Sequence, residues 1–480
     1  MKLTTLLRSV ACCLLLAVLT IYAAAADNPA QCGDVSFTFP DENLEFWVNR
    51  WLPCEEGATC LAHLESMEFL QLAAVGVRNL EGIQHCVNLS RLELPWNEIT
   101  DLRPLAELRN LVVLNLRRNE IEDISPLAHL GNLERIELGG NLIADLAPLA
   151  ELVQLEELSL YSNRITDIGA LAELTALSSL DLSGNDIAVF DALPGLTSLA
   201  ALDLSSTGFN SLALLTSLQA LTSLHLDANG IEDVSALSSL PNLSILHLPL
   251  NQIQELGPLA SLVKLRELQI WSNRIGDVGP LTNLVALEHL DISENRIADI
   301  SALGTLTELN YLSASDNEIR DLTPLSNLAN LRILYLDSNT IQDVAPLSAL
   351  ANLQKLGLSH NMISDLGALN ALTPLRELTA SHNLIAVLDE LVSLAELRYL
   401  NVSSNRISSM RALEHLSGLV TADLSSNSIS DLTPLVANIA LGDACEVNLS
   451  GNPVATSPDD NDLQAIETLR ERGVTIYADP

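Results

Sequence analysis

"LNLRRNEIEDISPLAHL" occupies residues 114–130, between "LELPWNEITDLRPLAEL" (92–108) and "IELGGNLIADLAPLAEL" (136–152). The three align at a shift of 22 residues, with no gap. Extended in both directions, the frame places Asn97, Asn119, Asn141, Asn163, Asn185, Asn229, Asn251, Asn273, Asn295, Asn317, Asn339, Asn361, Asn383, Asn405 and Asn427 at one column. Thr207 stands at the remaining position, and Phe209 follows it where Ile or Leu is usual. A fixed period of this length marks stacked units, each of which touches only its neighbours.

The pattern has a physical cause. In each unit L-x-L reads as a short strand with both Leu inward, and the next unit stacks beside it at about 4.8 Å. Where the chain turns out of the strand, buried backbone groups lose their sheet partner and need another. A short amide carries both donors and an acceptor, so stacked Asn side chains form a ladder along the molecule. A Thr hydroxyl keeps part of that function, which makes Thr207 a weak rung. Its functional alternative is a local change of curvature around Phe209. On the return side Asp recurs at 101, 123, 145, 167, 233, 277, 299, 321, 343, 365 and 431, often just before x-Pro-Leu. This spacing suits capping of a short helical turn. A metal-binding acidic stripe is the alternative, but each Asp stands alone in its unit, without the clustered oxygen ligands that calcium needs.

The expected fold is an α/β solenoid, each unit contributing one short strand and one short helical turn. The flanks depart from the repeat. Residues 1–26 read as a secretory signal, with Lys2 and Arg8 before an apolar stretch and small residues at 23–26. Residues 27–66 read as an N-terminal cap whose helix starts at Asp41 and turns Leu44, Trp47, Val48 and Trp51 to one face. The repeats span 67–452, about 18 units counting a degenerate first one with Val75 in place of Asn and a stretched last one. Residues 453–480 read as a C-terminal cap of helix then strand. In an exported chain, Cys32, Cys54, Cys60 and Cys86 could staple the N-terminal cap, in any of three pairings. Cys86 occupies a core-leucine column, so a buried thiol is its other reading. Cys445 is left without a partner.

The chain has 61 acidic and 24 basic residues, a net charge of −37. That excess argues against nucleic acid and anionic membranes as partners and permits a basic one. No segment after the signal is long and apolar enough to span a membrane.

The L-x-x-L-x-L-x-x-N-x-I-x-D-[IL]-x-P-L-x-x-L pattern resembles the bacterial internalin-type leucine-rich repeats. The flanks "PDENLEFWVNRWL" and "LRERGVTIYADP" resemble the caps of secreted bacterial proteins of that class. The resemblance implies a curved solenoid, a leucine-rich repeat horseshoe with a parallel concave β-sheet that binds another protein and a convex side of short 3-10 turns. Unlike surface-anchored internalins, the chain shows no immunoglobulin-like module, wall-binding repeat or sorting signal after the C-terminal cap, so an unanchored, secreted or periplasmic protein is expected.

Strand side chains alternate, so the positions six, four and two before each Asn face outward, with the residue just before Asn beside them. Trp96, Tyr161, Trp271, Tyr311, Tyr335 and Tyr399 fall on this grid, and such residues dominate binding hot spots. Trp271, Tyr311, Tyr335 and, further along, Tyr399 make the densest group. Arg91, Arg117, Arg118 and Arg135 make a basic group near Trp96. The partner-binding candidates are therefore Trp96, Arg117, Tyr161, Trp271, Tyr311, Tyr335 and Tyr399. His225 and His247 share a column with Asp203 and Asp227 nearby, a pair that could share zinc, and His360 with His382 repeats the arrangement. No metal or other cofactor is expected. The repeated outward serines form no nucleophile–base constellation, and no phosphate loop or His-Glu-x-x-His motif occurs. The expected function is a secreted protein-binding module; a self-associating envelope or matrix protein and a metal-dependent hydrolase are the alternatives.

Overall fold

The computed structural model describes residues 36–51, 59–456 and 460–478. The expected signal segment, Cys32 and Cys54 lie outside the described residues, as do the side chains of Trp51 and Cys60. The repeats form one parallel sheet of 19 three-residue strands, from Phe69–Gln71 to Thr475–Tyr477. Each strand pairs with its sequence neighbours in direct register, for example Leu290 beside Leu312 and Leu312 beside Leu334. Among the described residues no pairing joins the first strand to the last, so the ribbon is open.

One unit shows how the sequence makes the coil. Strand His289–Asp291 turns Leu290 inward and His289 and Asp291 outward. Leu287, Leu290, Ile292, Ile297, Ile300, Leu303 and Leu306 are all buried, from strand, turn and return side alike. Each such side chain contributes roughly 1.5–3 kcal/mol on burial. The return runs through the 3-10 turn Ser301–Thr305. Strands stack closely on one side and bulkier turns on the other, so the stack curves with the sheet on the inside.

The Asn column is a hydrogen-bond ladder. Asn251 Oδ1 accepts the N–H groups of Asn229 (3.1 Å) and Ile231 (2.9 Å), while Nδ2 donates to the carbonyls of Leu226 (3.0 Å) and Leu248 (2.9 Å). Thr207 keeps less: its hydroxyl donates to Leu204 O at 2.6 Å and its N–H to Asn229 Oδ1 at 3.0 Å. It makes none of the bonds to the preceding unit that Asn185 makes to Leu160 and Ile165. Phe209 fills the slot beneath, fully buried, with Phe190 edge-on at 4.9 Å. One feature escaped the sequence reading. The residue before each rung adopts a left-handed backbone, including Trp96 (φ 61°), Arg118 (φ 58°), His360 (φ 55°) and His382 (φ 52°). Glycine takes this conformation freely; other residues pay roughly 1 kcal/mol.

The return-side Asp column caps turns. In every one of the units named above the carboxylate accepts the N–H two residues on, as Asp123 does from Ser125 (2.8 Å) and Asp343 from Ala345 (2.8 Å). Two further elements close the ends. Helix α1 (Glu42–Trp51) buries Leu44 and Val48 against the first unit, with Trp47 half-buried beside them. Asp41 Oδ1 caps it by accepting from Asn43 (3.0 Å) and Leu44 (2.9 Å), and Oδ2 ties it to the first repeat through Arg78 (2.7 Å) and Asn79 (2.9 Å). Burial raises the Asp41 pKa, but these four backbone donors outweigh it and hold the carboxyl below its ordinary range. At the other end helix Asp460–Glu471 and strand Thr475–Tyr477 cover the last unit, whose rung is Asn452.

Cys86 is a free, buried thiol against Met67, its pKa pushed up to about 12 by burial. It is therefore no member of an N-terminal disulfide framework. Cys445 is also free and buried, its Sγ 3.3 Å from Leu419 O.

Candidate functional site: the concave sheet

The outward positions of the sheet divide into three stretches of different chemistry. The first covers the strands from Arg91–Glu93 to Glu157–Ser159. Here the four arginines that read as a basic group are each engaged. Arg91 pairs with Glu93 and lies over the Phe69 ring at 5.8 Å. Arg117 Nη1 is 3.4 Å from Glu137, and Arg135 bridges Glu137 (3.3 Å) and Glu157 (2.7 Å). Asn115 Nδ2 adds a bond to Glu137 at 2.7 Å. Arg118 lies over Trp96 at 5.0 Å and over Tyr161 at 5.6 Å, a cation held between two π faces. Tyr161 sits two units beyond Arg118. It reaches because the intervening unit has Gly139 and Gly140 at the outward positions. A Cβ on Gly139 would fall within the Tyr161 ring, and one on Gly140 would meet Arg118 Cδ at 2.9 Å. Trp96 remains 55% exposed at the rim.

The middle stretch covers the strands from Ser179–Asp181 to Ile333–Tyr335. Its rings form a stack the sequence reading did not foresee. His289 lies flat on Tyr311, centroids 4.0 Å apart and planes 4° off parallel, and Tyr311 meets Tyr335 edge-on at 6.1 Å. Tyr335 leans into the space left by Gly357. Trp271 is half-buried on the same face, but among the described residues no ring contact joins it or Tyr399 to this stack. The expected four-residue group is thus a His–Tyr–Tyr stack with two outlying aromatics. The signal existed: His289 and Tyr311 lie 22 residues apart in one column.

His225 and His247 also meet, centroids 4.2 Å apart. Their nitrogens face protein groups: His247 Nε2 is 2.8 Å from Glu267 Oε1, and His225 Nε2 is 3.2 Å from Ser223 Oγ. Among the described residues no three His, Cys, Asp or Glu side chains are grouped to hold a metal ion. Burial, then repulsion from His247, lowers the His225 pKa; burial likewise lowers that of His289. Burial raises the carboxyls of Asp181, Asp227 and Asp337. Asp181 is raised despite two serine hydroxyls donating to it, from Ser183 (2.7 Å) and Ser159 (3.1 Å). Asp227 Oδ1 and His289 Nδ1 are shut from solvent and have no hydrogen-bond partner.

The last stretch runs from Lys355–Gly357 to Thr421–Asp423. Tyr399, 37% exposed, borders a shallow depression of about 500 Å³ with Lys355, Arg376, Glu377 and Arg398. Lys355 Nζ is 2.7 Å from Glu377. On the rim His360 and His382 stack at 4.2 Å.

Residues 277–384 match the family described as Leucine-rich repeat, and 109–151, 131–173 and 153–195 match Leucine Rich repeats (2 copies). No curated protein sequence matches the chain. An internalin of Listeria monocytogenes (InlF) of solved structure is 32% identical, over 74% of this chain and 98% of that one, with a TM-score of 0.59. A leucine-rich repeat protein of Leptospira interrogans is 25% identical over 81% of this chain and 97% of its own, TM-score 0.66. The Arabidopsis receptor kinase HAESA, solved with the peptide hormone IDA and a co-receptor, shares 20% identity over 83% of this chain and 72% of its own, TM-score 0.61, a likeness of fold alone.

Proposed function

We propose, on the premise that this chain belongs to the internalin-type leucine-rich repeat family, that it is an exported binding module whose concave sheet takes a partner protein. One observation carries the reading. The concave sheet is long and no other described element covers it, yet it presents Trp96, Tyr161, Trp271, Tyr311, Tyr335 and Tyr399 outward. Rigid amphipathic rings on a preformed surface give large contact area at small entropic cost. HAESA, of like fold, is solved with a peptide hormone. Export rests on the leader-like residues 1–26, and among the described residues no helix is long and apolar enough to cross a membrane. A binding role without catalysis fits the outward serines, which recur as generic small polar positions.

The test is affinity capture on the immobilised exported chain and on a variant with Trp271, Tyr311, Tyr335 and Tyr399 changed to Ala, after matched melting curves. A protein held by the native surface and lost by the variant supports the concave site. Equal retention by both rejects it, and concentration-dependent mass of the pure chain would favour self-association instead.

A further inference from the structure

We propose that the middle stretch of the concave sheet recognises a lysine- or arginine-rich segment of the partner protein. The inference rests on the reading that the partner docks on the concave face, and it adds the partner's chemistry.

Surface composition sets this stretch apart. The eight strands from Ser179–Asp181 to Ile333–Tyr335 carry eight carboxylates at their outward positions, from Asp181 to Asp337, and no lysine or arginine. On the preceding strands Glu93, Glu137 and Glu157 each have an arginine partner. The only basic side chains among the middle carboxylates are histidines, and burial keeps two of them, His225 and His289, biased toward the neutral form. Three of the carboxylates, Asp181, Asp227 and Asp337, are half-buried with no lysine or arginine paired to them; only the His225 and His247 imidazoles lie near Asp227. Asp227 Oδ1 is a shielded acceptor with nothing to accept. Half-buried anions left this way carry a desolvation cost that an incoming cation relieves.

The rings point to the same ligand. Trp271, Tyr311 and Tyr335 stand among the carboxylates, and an aromatic face attracts a guanidinium or ammonium group. Arg118 between Trp96 and Tyr161 shows this chain already using that contact within itself. In the middle stretch the aromatic side chains are present and the cation is missing. The eight strands span about 34 Å at sheet spacing, and among the described residues no three acidic or histidine groups converge on a point. Spread anions of this kind suit several cations carried on one polypeptide, not a single ion.

The test uses calorimetry on the exported chain with a synthetic peptide of alternating lysine and serine; a glutamate–serine peptide is the control. Two variants of equal charge are compared. One carries Asp181→Asn, Asp203→Asn, Asp227→Asn and Asp337→Asn. The other carries Glu122→Gln, Glu151→Gln, Glu173→Gln and Glu308→Gln, all exposed and away from the outward strand positions. The expected result is that the first weakens lysine-peptide binding about tenfold and the second leaves it within about twofold, with no binding of the glutamate peptide. Equal loss in both variants, or no change in either, overturns the inference, because net charge alone would then explain the binding. A single Asp227→Asn variant, measured alongside, keeps the result readable if the fourfold change perturbs folding. Failure of the underlying reading looks different. A natural ligand lost by the four-aromatic variant but indifferent to the four Asp→Asn changes overturns the cationic partner and leaves concave binding intact. A ligand indifferent to both overturns both.

Discussion

The first and middle stretches of the concave sheet share one backbone, one register and one set of columns, and they treat charge in opposite ways. In the first, Glu137 gathers Arg117, Arg135 and Asn115, and Arg118 is clasped by two rings. In the middle, Asp227 and Asp337 meet no lysine or arginine and burial raises both carboxyls. A surface whose polar groups already satisfy one another gains little from a ligand; one that holds unpaired anions gains more. Repetition of the scaffold therefore does not imply repetition of role, and the middle stretch is where binding free energy remains available.

The largest expected effect tests how tightly the first stretch is packed. Gly139→Ala should destabilise its units by about 2 kcal/mol, because Tyr161 must leave its place. Ser315→Ala, in the same column of the middle stretch, should stay within about 0.5 kcal/mol. Hydrogen exchange of the strands on either side would read both locally. Next comes one chemical change with opposite signs. Glu137→Gln should cost about 1 kcal/mol, since it breaks a network rather than one exposed pair. Asp227→Asn should raise the melting temperature by about 2 °C, since it removes a half-buried anion that has no lysine or arginine partner. If both substitutions destabilise, the contrast between the stretches fails.

The smallest effect is in the pH profile. His225 and His289 have folded-state pKa values below their ordinary 6.5. The folded chain thus binds fewer protons there than the unfolded one. Their contribution is complete above that value and is lost as pH falls through the folded pKa values. Asp181, Asp227 and Asp337 are raised, so they disfavour folding at neutral pH, and the penalty lifts as acid protonates them. Stability should therefore dip mildly below 6.5 and partly recover before general acid unfolding. Melting curves across pH should show His225→Gln making the dip shallower and Asp227→Asn removing part of the recovery.

Much of this architecture is legible in the sequence alone. Asn and Leu recur in an unbroken frame, so strand, rung and core positions follow from counting, and Asp41 and the return-side Asp residues follow from capping chemistry. The pairing of charges was not readable. Arg117, Arg118 and Arg135 look like a free basic patch until their partners are placed, and most of those partners sit one or two units away. Tyr161 reaches Arg118 only because Gly139 and Gly140 leave the space between them open, and two glycines in a repeat carry no such message on their own. The same limit applied to Trp271 and Tyr399. Trp271 lies one unit from His289 but in another column of the sheet, and Tyr399 lies three units past Tyr335.

Thr207 has a mechanical consequence. In a stack held unit to unit, tension passes through every joint in series, and the joint with fewest cross-ties gives first. The side chains of Asn185 and Asn251 each tie their own turn to the preceding unit, whereas Thr207 leaves that backward tie undone and relies on Phe209 wedged against Phe190. Pulled from its ends in a force spectrometer, the chain should part first at this joint, and Thr207→Asn should move the first rupture elsewhere. A ligand bridging the strands on both sides of Thr207 would then act as a splint, turning two loosely coupled arms into one stiff beam.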